Sequence, residues 1–268
     1  MPAPKAGHTS ETRSSAAVVL KIGGSVAGRG EAELDAVAAL HGGGEPVVVV
    51  HGGGPLVGEW AASLGLETRF ERGLRVTDER TRDVALAVLA GLANTRVVAA
   101  LVARGIPAVG ISGVDAGLLR ADREDPALGL VGRVTLVEAT LLEELLAAGR
   151  VPVIAPAALE KGTDEILNVN ADTAAGAIAA AIGARLLAFV TDVPGVRRKD
   201  GKLIPTLDRG AALSLVEDGT IEGGMLPKVE ACLVASEAGC RAAIVSSGGD
   251  AVERLLQGER VGTVIEAA

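Results

Sequence analysis

Six short stretches, residues 16–22, 46–51, 106–111, 151–155, 186–191 and 242–246, are apolar without alternation. A strand with one wet face alternates. A strand without alternation is covered on both faces, as in a parallel sheet lying between helical layers. Helical periodicity fills most of the gaps, over 31–40, 56–64, 78–102, 138–148, 172–182, 207–217, 227–238 and 251–257. This alternation predicts an α/β fold, a three-layer αβα sandwich around a mainly parallel central sheet. Less regular pieces at 118–136 and 157–168 read as hairpins or flaps. KDGK predicts a third hairpin within 197–205, its Asp-Gly pair forming the turn. With 268 residues, nearly half of them hydrophobic, the chain can bury such a core. Residues 1–15 read as a loose polar tail, followed by an N-terminal lobe over 16–180 and a C-terminal lobe over 181–268.

Glycines stand where these runs end. KIGGS follows the first, HGGGP the second and TDVPG a later one, while EGGMLPK opens a helix. Glycine at the carboxyl end of a strand lets the backbone approach an anion and aim its N–H groups at it. In an open α/β sheet, ligands bind at that edge. One Gly pair alone reads first as a tight turn; several together at strand ends favour anion binding. Neither the P-loop pattern nor the dinucleotide fingerprint is present.

Lysine is scarce, six against twenty arginines. Lys21 lies inside the first apolar run, directly before the glycines. A buried ammonium must find a partner or lose its proton, so Lys21 is expected to face a ligand anion or a carboxylate. Lys228 follows Pro227, which fits only the first turn of a helix. It therefore sits beside free N–H groups and the positive end of the helix dipole, unfavourably unless an anion lies opposite. An exposed lysine near a turn is the plain alternative. In NVNAD, Asn170 is the expected N-cap and Asp172 falls in the first turn. Asp172 is the obvious carboxylate for Lys21, yet an Asp there also stabilises a helix by about 0.3–1 kcal/mol with no further role. Asn168 is not explained by capping. Arg75, in RGLRVTDER, precedes a helix start expected at Thr77. Its planar fork suits a carboxylate, and a surface arginine beside Arg72 reads equally well.

The net charge of −8, with no Tyr, two Phe and one Trp, argues against a general nucleic-acid binder. Two cysteines, Cys232 and Cys240, suggest no disulfide framework and a reducing, cytoplasmic setting. Three histidines without ligand spacing argue against a Cys/His metal site. No apolar run reads as a membrane span; the longest, 174–184, stops at Arg185.

In order along nearly the whole chain, KIGGS, VHGGGP, GLRVTDE, NVNADTAAGAIAAAIGA, TDVPGV, GGMLPKVEAC and the terminal VGTVI resemble the acetylglutamate kinase family of the amino-acid kinase superfamily. GLRVT and NVNAD are the specific parts. The resemblance implies transfer of the ATP γ-phosphate to the side-chain carboxylate of N-acetyl-L-glutamate, the second step of arginine biosynthesis. Mg²⁺ would be held mainly by the ATP phosphates. By the same resemblance Lys21 and Lys228 stabilise the transferring phosphoryl group and Asp172 organises them. Gly23 and Gly24 hold phosphate oxygens. Gly52 and Gly53 bind the acetylamino acid through backbone N–H groups, Arg75 grips its carboxylate, and Asn168 also contacts it. Thr191, Asp192, Gly223, Gly224 and Met225 line the ATP site together with the two lysines. SGVDAG stands where the family often has SGKDGG, so Val114 is given no charged role. The short, weakly amphipathic N-terminal tail points to a homodimer rather than an arginine-inhibited hexamer.

A carboxylate acceptor is already ionised at neutral pH, which agrees with a chain offering no His–Asp or Ser–His constellation. Two rivals make different demands. A carrier-linked 2-aminoadipate kinase of lysine biosynthesis calls for basic residues around the acceptor site, and no such cluster is seen. A non-catalytic sensor would be expected to have lost Lys21, Asp172 or Lys228.

Overall fold

A computed structural model of the chain describes residues 17–23, 31–247 and 250–267. The tail 1–15 and Gly24 lie outside them. The first strands are β1 (Val18–Ile22), β2 (Val47–His51), β3 (Phe70–Glu71), β4 (Leu74–Arg75), β5 (Ala108–Ser112), β6 (Leu119–Arg123) and β7 (Val131–Val137). They are followed by β8 (Val151–Ala155), β9 (Ala157–Glu160), β10 (Ile166–Val169), β11 (Leu186–Thr191), β12 (Thr206–Leu207), β13 (Arg241–Ser246) and β14 (Thr263–Ile265). The α-helices are α1 (Glu31–Gly42), α2 (Gly54–Ser63), α3 (Glu79–Leu86), α4 (Asn94–Val102), α5 (Thr140–Ala147), α6 (Ala171–Ala181), α7 (Arg209–Glu217), α8 (Leu226–Glu237) and α9 (Ala251–Leu256).

Eight strands form one sheet in the order β12-β14-β13-β11-β1-β2-β8-β5. The six strands from β13 to β5 are mutually parallel, and β14 joins β13 antiparallel. Every residue of β1, β2 and β8 is buried, as unbroken apolar runs require. Period-two alternation divides the strands between two cores. Val18, Leu20 and Ile22 pack with α1, α4 and α9. Val19 packs with α6 and α8 on the opposite face. Lys21 shares the Val19 side, so its side chain is sent toward α6 and α8. Three layers result, as expected.

Three local readings change. Helix α3 begins at Glu79, not at Thr77: Asp78 is the N-cap, accepting from the Thr81 N–H at 2.8 Å. Thr77 is instead fully buried, its N–H and C=O bonded to Leu128 and Leu130. Leu207, expected in a helix, belongs to β12, and Asp208 caps α7. The helical run Glu79–Val102 is long and apolar enough to cross a membrane, contrary to the expectation that no run was. One face of it, with Val88, Ala93, Val97 and Leu101, is buried within the molecule. It is also interrupted by a π-helical segment, Ala87–Ala93, between α3 and α4.

The two irregular stretches are hairpins. β6 pairs antiparallel with β7, and β9 with β10. Parallel β6–β9 and β7–β10 pairings then close all four strands into a small barrel. The KDGK turn is present, with Arg197 bridging Leu203 and Gly201 at φ +83°. A further short hairpin joins β3 to β4 through Arg72 and Gly73, at φ +48° and +80°. Positive φ at both central residues is the condition of a type I′ turn.

Candidate active site

Parallel strands place their carboxyl ends along one edge, and a cavity of about 220 Å³ opens there. Lys21 of β1, Gly52–Pro55 after β2 and Pro156 after β8 form its sheet side. The β3–β4 hairpin supplies Phe70, Gly73 and Arg75; β10 and the start of α6 supply Asn168, Asn170 and Asp172.

Asp172 gathers both lysines. Lys21 Nζ lies 2.6 Å from Oδ1 and Lys228 Nζ 3.0 Å from Oδ2. The Oδ1 contact is a charge contact outside hydrogen-bond geometry, whereas Lys228 donates both to Oδ2 and to the Gly224 carbonyl. All three side chains are largely buried, 10% exposed for Lys21, 7% for Asp172 and 17% for Lys228. Asn170 is the N-cap, its Oδ1 accepting from the N–H groups of Asp172 and Thr173. Capping and ion pairing thus coexist at Asp172. Burial is the main influence on Lys21 and lowers its pKa; the Asp172 charge opposes this and the Lys228 charge adds to it. Two ammonium groups on one carboxylate leave an excess of positive charge for an anion.

Arg75 is buried, not on the surface. It donates to Thr68 Oγ1 at 3.0 Å and to the Gly54 carbonyl at 2.8 Å, and its guanidinium stacks 4.8 Å from the Phe70 ring centre. Among the described residues it pairs with no carboxylate, and burial lowers its pKa. Asn168 donates to Thr77 Oγ1 at 3.2 Å, and that hydroxyl donates to the Arg75 carbonyl at 2.7 Å. Thr77 therefore ties together two residues that sequence reasoning could only name separately.

The glycine pair after β2 divides. The Gly52 N–H is consumed by the Ile22 carbonyl at 3.2 Å, which corrects the expectation that this donor faces a ligand. The Gly53 N–H has no partner among the described residues. Gly23 follows β1 directly, while Gly24 lies outside the described residues.

Thr191 ends β11, its hydroxyl bonded to Asp192 at 2.9 Å. Gly223, Gly224 and Met225 form a single 3₁₀ turn leading into α8. None of these five lines the cavity. The two sides touch where a Cβ on Gly73 would stand 3.4 Å from the Gly223 carbonyl. The cysteines are unbridged and buried; burial raises the Cys232 pKa far above normal and pushes Cys240 up to about 12. Both are packing residues. Sequence reasoning missed His51, Thr77 and Asn94, all buried. The available signal was a polar residue on the apolar face of a helix or at the end of an apolar strand.

Residues 16–246 match the model of the amino acid kinase family. The chain is 47% identical to the acetylglutamate kinase of Methanopyrus kandleri, over 92% of this chain and 99% of that one. It is 48% identical to that of Geobacillus stearothermophilus, over 81% and 84%. Among solved structures, the N-acetylglutamate synthase of Neisseria gonorrhoeae, complexed with coenzyme A and N-acetyl-glutamate, superposes with a TM-score of 0.78 at 27% identity. That likeness covers 94% of this chain and 59% of the synthase.

Proposed function

The chain belongs to the amino acid kinase family and within it to the acetylglutamate kinases, and from that premise we infer how it moves the ATP γ-phosphate to the side-chain carboxylate of N-acetyl-L-glutamate. The observation that carries the reading is the Lys21–Asp172–Lys228 cluster, in which Lys21 and Asp172 line the cavity and Lys228 is paired to Asp172 from behind that wall. The acceptor arrives ionised, so no base is needed to make the nucleophile. What opposes reaction is the approach of one anion to another, with charge spreading over the equatorial and leaving oxygens. Lys21 and Lys228 hold those oxygens, and Asp172 keeps the two ammonium groups from driving each other apart.

The cavity is smaller than the several hundred Å³ typical of drug-sized ligands, which suits an acetylated amino acid. Arg75 receives its carboxylate and Asn168 a polar group beside it. The Gly53 N–H, at the N-terminus of α2, donates to an acceptor oxygen. All lining residues fall between 21 and 172, which supports assigning the acceptor to the lobe 16–180. Thr191, Asp192 and the Gly223–Met225 turn then belong to the ATP side in 181–268, with Gly23 at the phosphates between them. Among the described residues no three His, Cys, Asp or Glu side chains cluster to cage a cation. Mg²⁺ would be carried mainly on the ATP phosphates, where it would neutralise their charge. Unbridged cysteines support a cytoplasmic location, and an isologous homodimer is the simplest assembly. At the hairpin tip Arg72 is paired to Asp125 at 2.6 Å, which leaves an acidic carrier protein little to grip there.

The test is an acceptor panel in a coupled ADP assay, with and without arginine. ADP release should depend on N-acetyl-L-glutamate; preference for carrier-bound 2-aminoadipate would overturn the assignment. Arg75→Ala should raise the KM for N-acetyl-L-glutamate about 10- to 100-fold, the worth of a charge-assisted hydrogen bond, with kcat little changed. An unaltered KM would reduce Arg75 to a packing partner of Phe70.

A further inference from the structure

The π-helical segment ends by delivering one polar side chain, Asn94, into the core. Its Nδ2 lies 2.9 Å from the Val153 carbonyl and 3.1 Å from His51 Nε2. Gly110 makes the space, since a Cβ there would stand 2.0 Å from Asn94 Oδ1. A carbonyl can only accept, so the Asn94 atom facing Val153 is the NH₂ group. That group only donates, so His51 Nε2 must accept, and the imidazole proton resides on Nδ1. Nδ1 then donates to the Gly52 carbonyl at 2.9 Å. The imidazole stays neutral: burial lowers its pKa, more than the Gly52 contact raises it, and the Lys21 charge lowers it further.

A trans peptide is planar, with N–H opposite C=O. Holding the Gly52 carbonyl toward His51 therefore turns the Gly53 N–H the other way. Without that anchor a Gly-Gly peptide rotates freely, because glycine populates both signs of φ. We propose that His51 and Asn94 are positioning residues that lock the glycine loop so that the Gly53 N–H is presented to the bound acceptor. This rests on reading the cavity as the acceptor site.

Variants of His51 separate positioning from packing. Asn at 51 places a donor near the position of Nδ1; Gln places one near Nε2; Leu supplies neither. Wild-type turnover on N-acetyl-L-glutamate is measured first, so failure of the functional reading shows separately. In His51→Leu the acceptor KM should rise about tenfold, the worth of one hydrogen bond, with the ATP KM within about twofold. His51→Asn should recover most of that loss and His51→Gln should not. Asn94→Leu, which releases the tautomer, should raise the acceptor KM in the same direction. Equal losses in the Asn and Gln variants overturn the proposal, as does an ATP KM that rises with the acceptor KM. If His51→Leu does not fold, the Asn–Gln pair alone decides.

Discussion

The two lysines reach one carboxylate from unlike supports. Lys21 is carried on the central strand, paired on both sides and covered above and below. Lys228 stands in the first turn of α8, reached through a glycine turn, with Gly223 at φ +54°. The strand fixes its ammonium through a whole sheet; the helix fixes its own through a local turn and the Gly224 carbonyl. Lys21 is thus expected to be the more firmly fixed member of the pair and Lys228 the more adjustable one. That arrangement suits a reaction in which one anchored charge and one that can follow serve a migrating group.

The largest effect should come from removing what joins the two sides. Asp172→Asn leaves two buried ammonium groups without their counter-ion and should cost about 3–5 kcal/mol in denaturant unfolding of the ligand-free protein; a loss below about 1 kcal/mol would mean that the three charges do not act together. Next in size, Lys21→Ala and Lys228→Ala should each lower kcat by about 10²–10³, as loss of one charge-stabilising donor does. Arginine should be better tolerated at 228 than at 21, because only the helix turn can shift for a larger head group. Equal tolerance at both positions would erase the distinction. The smallest effect concerns protons. A lowered Lys21 pKa means that the native state holds this proton less tightly than the unfolded chain, whose lysine titrates near ~10.4. The Lys21 contribution to stability therefore rises with pH from its folded value toward ~10.4, while activity, which in the proposed mechanism uses the ammonium, should fall over the same window. The kcat/KM profile should turn down below ~10.4 and lose that limb in Lys21→Arg; a limb at or above ~10.4 would contradict the lowering.

Much of this was legible along the chain. Unbroken apolar runs gave the parallel strands, and the burial of Lys21 in the first of them demanded an anionic partner. Pro227 and Asn170 marked the helix starts that bring Lys228 and Asp172 to it. What could not be read was pairing over distance. The strands β6, β7, β9 and β10 look like two separate hairpins, because nothing local states that β6 will lie beside β9. The burial of Arg75 depends on Phe70 and Gly54, contacts that no spacing rule connects. His51 looks like the last residue of a strand, and the role proposed for it rests on its contact with Asn94, 43 positions on. Tertiary contacts decide such polar residues, while covalent neighbours decide caps and turns.

The central position of β1 has a consequence for how the molecule is made. Its row of hydrogen-bonding groups on the β11 side stays unmatched until residues past 186 leave the ribosome, roughly ten to thirty seconds later at bacterial-to-eukaryotic elongation speeds. During that interval a nascent chain exposes an apolar, two-sided edge, the kind of template that recruits a second chain. Expression yield is therefore expected to depend on holdase chaperones more than the final fold would suggest.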